Sequence, residues 1–321
     1  MDFPKLLSEW GLFLEPLNQL DPKVGIYPYD LNTPLFTDYA SKLRFVRLPE
    51  GSSAKYHPSE VMDFPIETIL IKNFFYPADM RVAGEERRII ETRLLIHQTS
   101  GWEALTYVWD DAQTDAALEV AGRTVPVSWT DESGELKKVN YSVPNLVQCK
   151  SCHELSAKMS PIGPSARQLN KGYQYASGFM NQLDFWAQQG ILTHLPEENQ
   201  RPQLPVWNDP KTGSIEQRSR AWLEANCAHC HRTEGPAKNT GLYLTYSEED
   251  PYKLGVSKPP VAAGRGSGGL QYGIVPGEPQ SSILLYRINS LDPGVMMPEL
   301  GRKLRHEEGV ELIREWIAGM D

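Results

Sequence analysis

The sequence lacks the features that mark several classes of protein. It has only four cysteines among 321 residues, too few for a disulfide framework to hold a chain of this length together. No window approaches roughly 18 consecutive apolar residues, which argues against a membrane-spanning helix. Acidic residues outnumber basic ones by 41 to 32, giving a net charge of −9. This charge argues against a nucleic-acid binder, because phosphate binding requires a basic face.

The cysteines occur in two close pairs, and a histidine follows each pair. Residues 149–153 and 227–231 both match C-x-x-C-H, the attachment signature of haem c. Two thiols at this spacing lie on one turn, so each can form a thioether with a porphyrin vinyl group while the adjacent imidazole reaches the iron. We predict two covalent haem c groups, with His153 and His231 as iron ligands. The cofactor-binding residues are then Cys149, Cys152, His153, Cys227, Cys230 and His231.

Three other interpretations of the cysteine pairs are open. The pairs could form a zinc site, redox-active dithiols or structural disulfides. Histidine accounts for only 7 of the 321 residues, so chance would place one after both pairs about once in two thousand sequences. Zinc ribbons do not require these histidines, and a thioredoxin-type dithiol requires a βαβ context that the sequence does not show. Haem attachment is therefore the favoured interpretation, and zinc comes next.

Haem attachment also predicts the compartment. Bacteria form these thioethers outside the cytoplasm, so we expect a periplasmic or otherwise exported protein. The first residues, Met1 to Lys5, do not combine a charged segment with an apolar one. We expect that an export signal has been removed from this form of the chain.

The pattern divides the chain into a β-rich N-terminal domain (1–145), a truncated first haem segment (146–200), a linker (201–214) and a domain like class I cytochrome c (215–321). Short runs of β-branched and aromatic residues, separated by turn signals, predict an antiparallel sandwich in the first domain. A short helix is expected within 4–13. The predicted strands are 67–76, 88–97, 102–109, 116–120, 124–129 and 138–143.

The haem segments are predicted to be helical. A strand rather than a helix leads into the first motif, but 180–190 has apolar residues at helical spacing. In the last domain a helix over 215–227 runs into the second motif, and helices over 281–288 and 307–318 follow a long loop. The expected fold class is multidomain: a mostly-β, sandwich-like N-terminal domain joined to all-α cytochrome c-type haem domains.

The layout of the last domain indicates the second axial ligand of its haem. In class I cytochromes c, a methionine in the loop before the last helix binds the iron, and its thioether raises the potential. Met296 and Met297 both lie in this loop. Met297 precedes Pro298 as in the usual Met-Pro pair, so it is our candidate ligand. Met296 is the alternative, and both could instead be packing residues.

The distal ligand of the first haem is less well defined. Met180 precedes a helix that resembles a closing helix, so it is the first candidate for this metal ligand. Met159 follows the first motif so closely that its reach around the porphyrin is short. An open iron is another possibility. The remaining alternatives are His57, His97 and His194.

Further cofactor contacts are expected after the first motif. Gly163 and Pro164 lie where a backbone carbonyl accepts a hydrogen bond from the iron-binding histidine in small cytochromes c. Gly235 and Pro236 are a weaker match after the second motif. Arg167 could form a charge-assisted pair with a haem propionate, or it could be an exposed helix charge.

Several segments resemble a family of exported dihaem c-type cytochromes, and the resemblance spans nearly the whole chain. In this group, related haem segments occur attached to quinoprotein dehydrogenase-like domains. The resemblance therefore implies electron transfer beside a periplasmic dehydrogenase, without defining a substrate. The segments that carry it are 33–39, 90–95, 102–109, 219–244, and 274–287 with the Met297–Pro298 loop.

These observations predict an electron-transfer protein in which one haem accepts an electron and the other, close to it, passes it on. The acidic composition favours basic redox partners, such as an acceptor cytochrome, with a quinoprotein dehydrogenase as donor. We expect a monomer without a transmembrane segment. One alternative is a dihaem peroxidase-like enzyme with an open iron. Another is a haem protein whose β-domain binds a carbohydrate or a partner through Trp102, Trp109 and Trp129.

Overall fold

A computed structural model describes residues 3–82, 84, 87–261 and 263–321. The described chain forms two compact units, and each has its own hydrophobic core. The domain borders predicted at 145, 200 and 214 stay a prediction. The first unit comprises Met1–Leu31, Tyr39–Lys150 and Pro161–Gln203, and the second comprises Asn32–Asp38, Ser151–Ser160 and Leu204–Asp321.

Fourteen strands occur in the described residues, and most of the long ones lie within runs rich in β-branched and aromatic residues. They are β1 (Ile26–Tyr29), β2 (Ser41–Arg47), β3 (Ala54–Lys55), β4 (Ile69–Pro77), β5 (Arg87–Gln98), β6 (Gly101–Trp109), β7 (Ala116–Leu118), β8 (Arg123–Thr130), β9 (Leu136–Val143), β10 (Glu154–Leu155), β11 (Lys158–Met159), β12 (Gly172–Tyr175), β13 (Gly178–Asn181) and β14 (Leu192–Thr193).

Six of these strands form one antiparallel sheet in the first unit, in the order β1-β2-β4-β5-β6-β7. Phe45, Ile71 and Leu94 are cross-strand neighbours, and all three are buried in the core of this unit. Burying each such side chain contributes about 1.5–3 kcal/mol. Because side chains alternate along a strand, the adjacent residues Arg44 and Lys72 lie on the opposite face.

The remaining strands form pairs. β8 and β9 make a hairpin, whose turn is held by Asp131 through a hydrogen bond from the Ser133 N–H to Oδ1 at 2.9 Å. β12 pairs with β13, and the short β3 and β14 pair in parallel. In the second unit, β10 pairs with β11 immediately after the first motif.

The helices in the described residues are short, and none has the length and continuous apolar surface that crossing a bilayer requires. The helix over 215–226 begins at Ser214, which forms a capping box with Gln217. Trp222 of this helix shares the core of the second unit with Ile313 and Ile317 of the last helix. The α-helices are α1 (Leu146–Cys152), α2 (Ala166–Leu169), α3 (Gln182–Gln188), α4 (Ile215–Asn226), α5 (Ile283–Asn289) and α6 (Glu307–Ala318).

The predicted fold class is wrong. The described residues are mixed, with 22% helix and 28% strand, and the predicted haem segments are not all-α domains. Residues 227–261 and 263–282 form turns, 3-10 segments and isolated bridges rather than α-helix, because glycine and proline interrupt them repeatedly. A second large sheet, expected of a sandwich, is absent from the described residues, in which β8 and β9 form a separate two-stranded sheet. The helix expected within 4–13 is a 3-10 turn at Ser8–Trp10.

Candidate functional site

The first motif lies on α1, a helix that the sequence did not predict. A capping box starts this helix: the Asn145 side chain accepts the Gln148 N–H at 2.9 Å, and the Gln148 side chain accepts the Asn145 N–H at 3.0 Å. Cys149 and Cys152 both lie within α1. Residues three apart share one face of a helix, and this is the spacing that attachment to one porphyrin requires.

The histidine of the first motif is fixed by the residue before Pro161. His153 Nδ1 lies 2.9 Å from the Ser160 carbonyl oxygen, and the Ser160 N–H donates to the His153 carbonyl at 2.7 Å. A carbonyl can only accept, so Nδ1 carries the proton and Nε2 keeps the lone pair that an iron ligand needs. The hydrogen bond that was expected to go to a carbonyl of Gly163 or Pro164 therefore goes to the carbonyl of Ser160.

Gly163 and Pro164 have other partners. The Gly163 carbonyl accepts the Ser165 N–H at 2.9 Å, and the Pro164 carbonyl accepts the Met62 N–H at 3.2 Å. Their own contact with a haem stays a prediction.

The second motif forms a single turn at the end of α4. Cys227 is the C-cap of this helix, and its carbonyl accepts the N–H groups of Cys230 at 3.1 Å and His231 at 3.0 Å. Cys230 acts electrostatically on the Cys227 thiol, so the two cysteines of this turn are neighbours. The local geometry thus fits haem attachment at this motif.

His231 is held as a neutral imidazole. Burial and the nearby Arg287 lower its pKa to about 4, and the Leu242 carbonyl is a hydrogen-bond partner of the ring. A neutral imidazole is the form that binds a metal. The hydrogen bond from this histidine therefore goes to the Leu242 carbonyl and not to the Gly235–Pro236 pair.

Buried Arg302 fixes the loop that carries Met297. Its Nη2 donates to the carbonyls of Ser290 and Met297, both at 2.9 Å. Asp38 Oδ1 accepts the backbone N–H of Leu304 at 2.8 Å. Arg302 and Asp38 were missed by the sequence reasoning, because nothing local to either residue indicates these long-range contacts.

This loop and α5 lie beside the second motif. The Met297 N–H donates to the Arg287 carbonyl at 3.1 Å. Met296 is buried, whereas Met297 is partly exposed. This difference favours Met296 as the packing residue and Met297 as the candidate ligand. The electrostatic pairs between the motif and its surroundings are Cys227 with Arg302, Cys230 with Glu299, and His231 with Arg287.

Within the second unit, residues of the first motif from Ser151 onward lie near the second motif. The Ser156 N–H donates to the Glu234 carbonyl at 2.9 Å, which links the segments that follow the two motifs. Burial and Cys152 raise the pKa of the Cys230 thiol to about 11. These two cysteines of different motifs are therefore electrostatic neighbours.

His229, inside the second motif, is a third histidine of this region, and the sequence reasoning missed it. Burial and the neighbouring His153 and His231 lower the pKa of His229 to about 4. Its Nδ1 is buried without a hydrogen-bond partner among the described residues. The only signal for it is its place inside the second C-x-x-C-H motif.

The candidates for the distal ligand of the first haem differ in their surroundings. Met159 is next to Ser160, whose carbonyl contacts Nδ1 of His153. Its backbone therefore lies on the side of the ring opposite Nε2, the atom that would bind the iron. His57 Nδ1 accepts the Glu60 N–H at 2.9 Å, which leaves the proton on Nε2. Met180 pairs with Tyr173 in the β12–β13 hairpin, and its role stays a prediction.

Two more expectations concern side chains in the first unit. Arg167 is buried, and its Nη2 donates to the Ser59 carbonyl at 2.7 Å, so it is not the exposed helix charge of the alternative. The tryptophan platform for a carbohydrate is wrong, because Trp109 and Trp129 are 6% and 2% exposed. Trp102 stacks on His97 with ring centroids 4.4 Å apart.

The thiols distinguish among the interpretations of the cysteine pairs. None of the four cysteines forms a disulfide, which argues against structural disulfides. Burial and Cys230 raise the pKa of the Cys227 thiol to about 12, and burial also raises the pKa of Cys149. Zinc binds thiolates, which these surroundings disfavour.

The expectation of a metal-binding cytochrome c is wrong. In the part of the chain that the structure describes, no group of three or more His, Cys, Asp or Glu side chains could hold a metal ion, and the helices are few. A C-x-x-C-H motif gives the porphyrin iron one imidazole, since its sulfurs bond to carbon. Haem attachment therefore stays a prediction.

Comparison with known proteins identifies no relative of this chain. No family model matches the chain, and neither a curated protein nor a solved structure matches it. The resemblance to exported dihaem proteins stays a prediction.

Proposed function

We propose that this chain carries two covalently attached haem groups and transfers electrons between partner proteins outside the cytoplasm. The observation that carries the proposal is the adjacency of the two C-x-x-C-H motifs, linked by the 2.9 Å hydrogen bond from Ser156 to Glu234. Electrons pass between redox centres efficiently only when the centres are close. A carrier with two attachment motifs side by side meets that condition.

The chain's own part is to present ligands in the required state. A bound haem supplies a one-electron couple, whose potential the protein adjusts through ligands, burial and charge. The His153 ring is oriented by the contact of its Nδ1 with the Ser160 carbonyl at 2.9 Å, and this contact favours the tautomer with the proton on Nδ1. His231 is neutral because burial lowers its pKa to about 4. Met297, in the loop fixed by Arg302, would supply the second ligand of its haem.

The partners follow from charge and compartment. Thioether formation outside the cytoplasm implies export, and the net charge of −9 favours a basic acceptor protein. A periplasmic dehydrogenase would be the electron donor.

A spectroelectrochemical titration of the purified, exported protein tests the proposal. We expect two low-spin, six-coordinate haems that are reduced and reoxidised reversibly. The double variant Cys227→Ser, Cys230→Ser should retain only the first haem and lose one of the two steps. Haems that cannot be cycled would overturn electron transfer, and a high-spin haem that binds peroxide would favour the peroxidase-like enzyme.

A further inference from the structure

A row of oxidisable aromatic side chains crosses the interior of the first unit. Trp129 of β8 and Tyr141 of β9 both pack against Tyr76 of β4, with ring centroids 4.8 Å and 6.2 Å from it. These three residues are at most 2% exposed. The ring centroid of Tyr39 lies 6.4 Å from that of Trp129, and Tyr39 is partly exposed. We call Tyr39, Trp129, Tyr76 and Tyr141 the aromatic row.

The buried end of the aromatic row has a proton acceptor. The Tyr141 hydroxyl donates to Glu91 Oε1 at 2.5 Å, and Glu91 is fully buried. Arg93 Nε donates to Glu91 Oε2 at 2.9 Å, and this charge-assisted hydrogen bond compensates the negative charge of the carboxylate. Burial and the charge of Glu91 hold the pKa of the Tyr141 phenol well above its usual range. The reduced phenol therefore keeps its proton.

A phenol that loses an electron must also lose its proton, because the oxidised phenol is a strong acid. In a protein interior this requires a base within hydrogen-bond distance, and Glu91 meets the requirement for Tyr141. Trp129 does not meet it, since its indole N–H is buried without a hydrogen-bond partner among the described residues. An oxidised Trp129 therefore keeps its proton and passes the charge on, whereas Tyr141 can hold it.

We propose that Tyr141 is a redox-active tyrosine and that the aromatic row carries its electron to a one-electron oxidant of high potential beside Tyr39. In this step the O–H bond of Tyr141 breaks and a new O–H bond forms at Glu91 Oε1. Tyr141 becomes a neutral radical, Glu91 becomes a neutral acid, and the oxidant is reduced by one electron. The reverse step restores both side chains. The inference goes beyond the proposed function, because it requires no haem.

Tyr107 is a matched tyrosine that lacks this arrangement. It belongs to the same unit and is fully buried. Its hydroxyl donates to the Pro4 carbonyl at 2.8 Å, and a peptide carbonyl does not take up a proton at neutral pH. A long-lived radical is therefore expected at Tyr141 and not at Tyr107.

Photochemical oxidation of the full-length protein tests the inference. Tris(bipyridine)ruthenium, excited by light in the presence of persulfate, supplies the one-electron oxidant. Electron paramagnetic resonance of rapidly frozen samples then detects tyrosyl radicals. We expect a radical that outlives those of exposed tyrosines. Tyr141→Phe should lack this radical and Tyr107→Phe should retain it, while circular dichroism shows whether each variant is folded.

Two further variants test the proton acceptor and the electron path. Glu91→Gln cannot accept the proton, so formation of the long-lived radical should slow by about 100-fold or more and become dependent on pH. Trp129→Phe keeps an apolar ring that is not oxidised, so it should also slow the radical's formation even if Glu91→Gln fails to fold.

Four results would overturn the inference. They are a wild-type protein without a long-lived radical, a long-lived radical that persists in Tyr141→Phe, its loss in folded Tyr107→Phe, and formation at the wild-type rate in Glu91→Gln or Trp129→Phe.

Discussion

At the scale of single residues, the account depends on the backbone carbonyls that orient the two motif histidines. His153 donates from Nδ1 to the Ser160 carbonyl, and His231 is kept neutral beside the Leu242 carbonyl. The spacing of Cys149 and its partners could be read from the sequence, because thioether formation requires those residue types at those positions. The carbonyl partners at Ser160 and Leu242 could not be read from the sequence. Every residue has a backbone carbonyl, and only the fold decides which one meets the histidine.

The methionine loop gives a prediction at this scale. Met297→Ala should remove the thioether–iron absorption band of the oxidised protein and lower the potential of one haem, because a thioether ligand raises the potential. Met296→Ala is the matched control, since Met296 is buried and should only lose packing, at a cost of about 2–5 kcal/mol. Absorption spectroscopy on both variants makes the comparison. A band that survives Met297→Ala and disappears in Met296→Ala would contradict the assignment.

At the scale of elements, composition predicted the strands better than the helices. β4 and β5 were expected because their residues are β-branched and aromatic, and both are observed. α6 was expected from its apolar period and is observed at Glu307–Ala318. α1 was missed because a strand ends only three residues before it begins. The all-α haem domains were wrong because a haem motif requires one turn of helix and does not specify the structure around it.

The capping box of α1 gives a prediction at this scale. Asn145→Ala removes the acceptor of the Gln148 N–H and should lower the free energy of unfolding by about 1 kcal/mol. Urea denaturation of the variant measures the loss. Asn140→Ala, on an exposed position of β9, is the control and should change stability by less than about 0.5 kcal/mol. Equal effects of the two substitutions would show that the cap does not stabilise the motif helix.

At the scale of the whole molecule, charge should govern how the protein meets its partners. The net charge of −9 does not include the haem propionates, so the loaded protein would be more acidic still. Long-range attraction raises the rate of encounter with a basic partner. It is screened by salt, because the Debye length falls from about 30 Å at 0.01 M to about 8 Å at 0.15 M ionic strength.

Electron exchange with a basic acceptor protein should therefore slow as ionic strength rises over this range. Stopped-flow absorption measures the rate with a basic acceptor and with an acidic one of similar potential. The acidic acceptor should show the opposite trend, because salt then screens repulsion. A rate with the basic acceptor that is independent of salt would contradict electrostatic steering.

The most direct measurement of the central claim is the mass of the denatured, exported chain. Thioethers survive denaturation, so the chain should carry the added mass of two haems, and the double variant Cys149→Ser, Cys152→Ser should carry one. A chain that keeps four free thiols and no added mass would contradict the account.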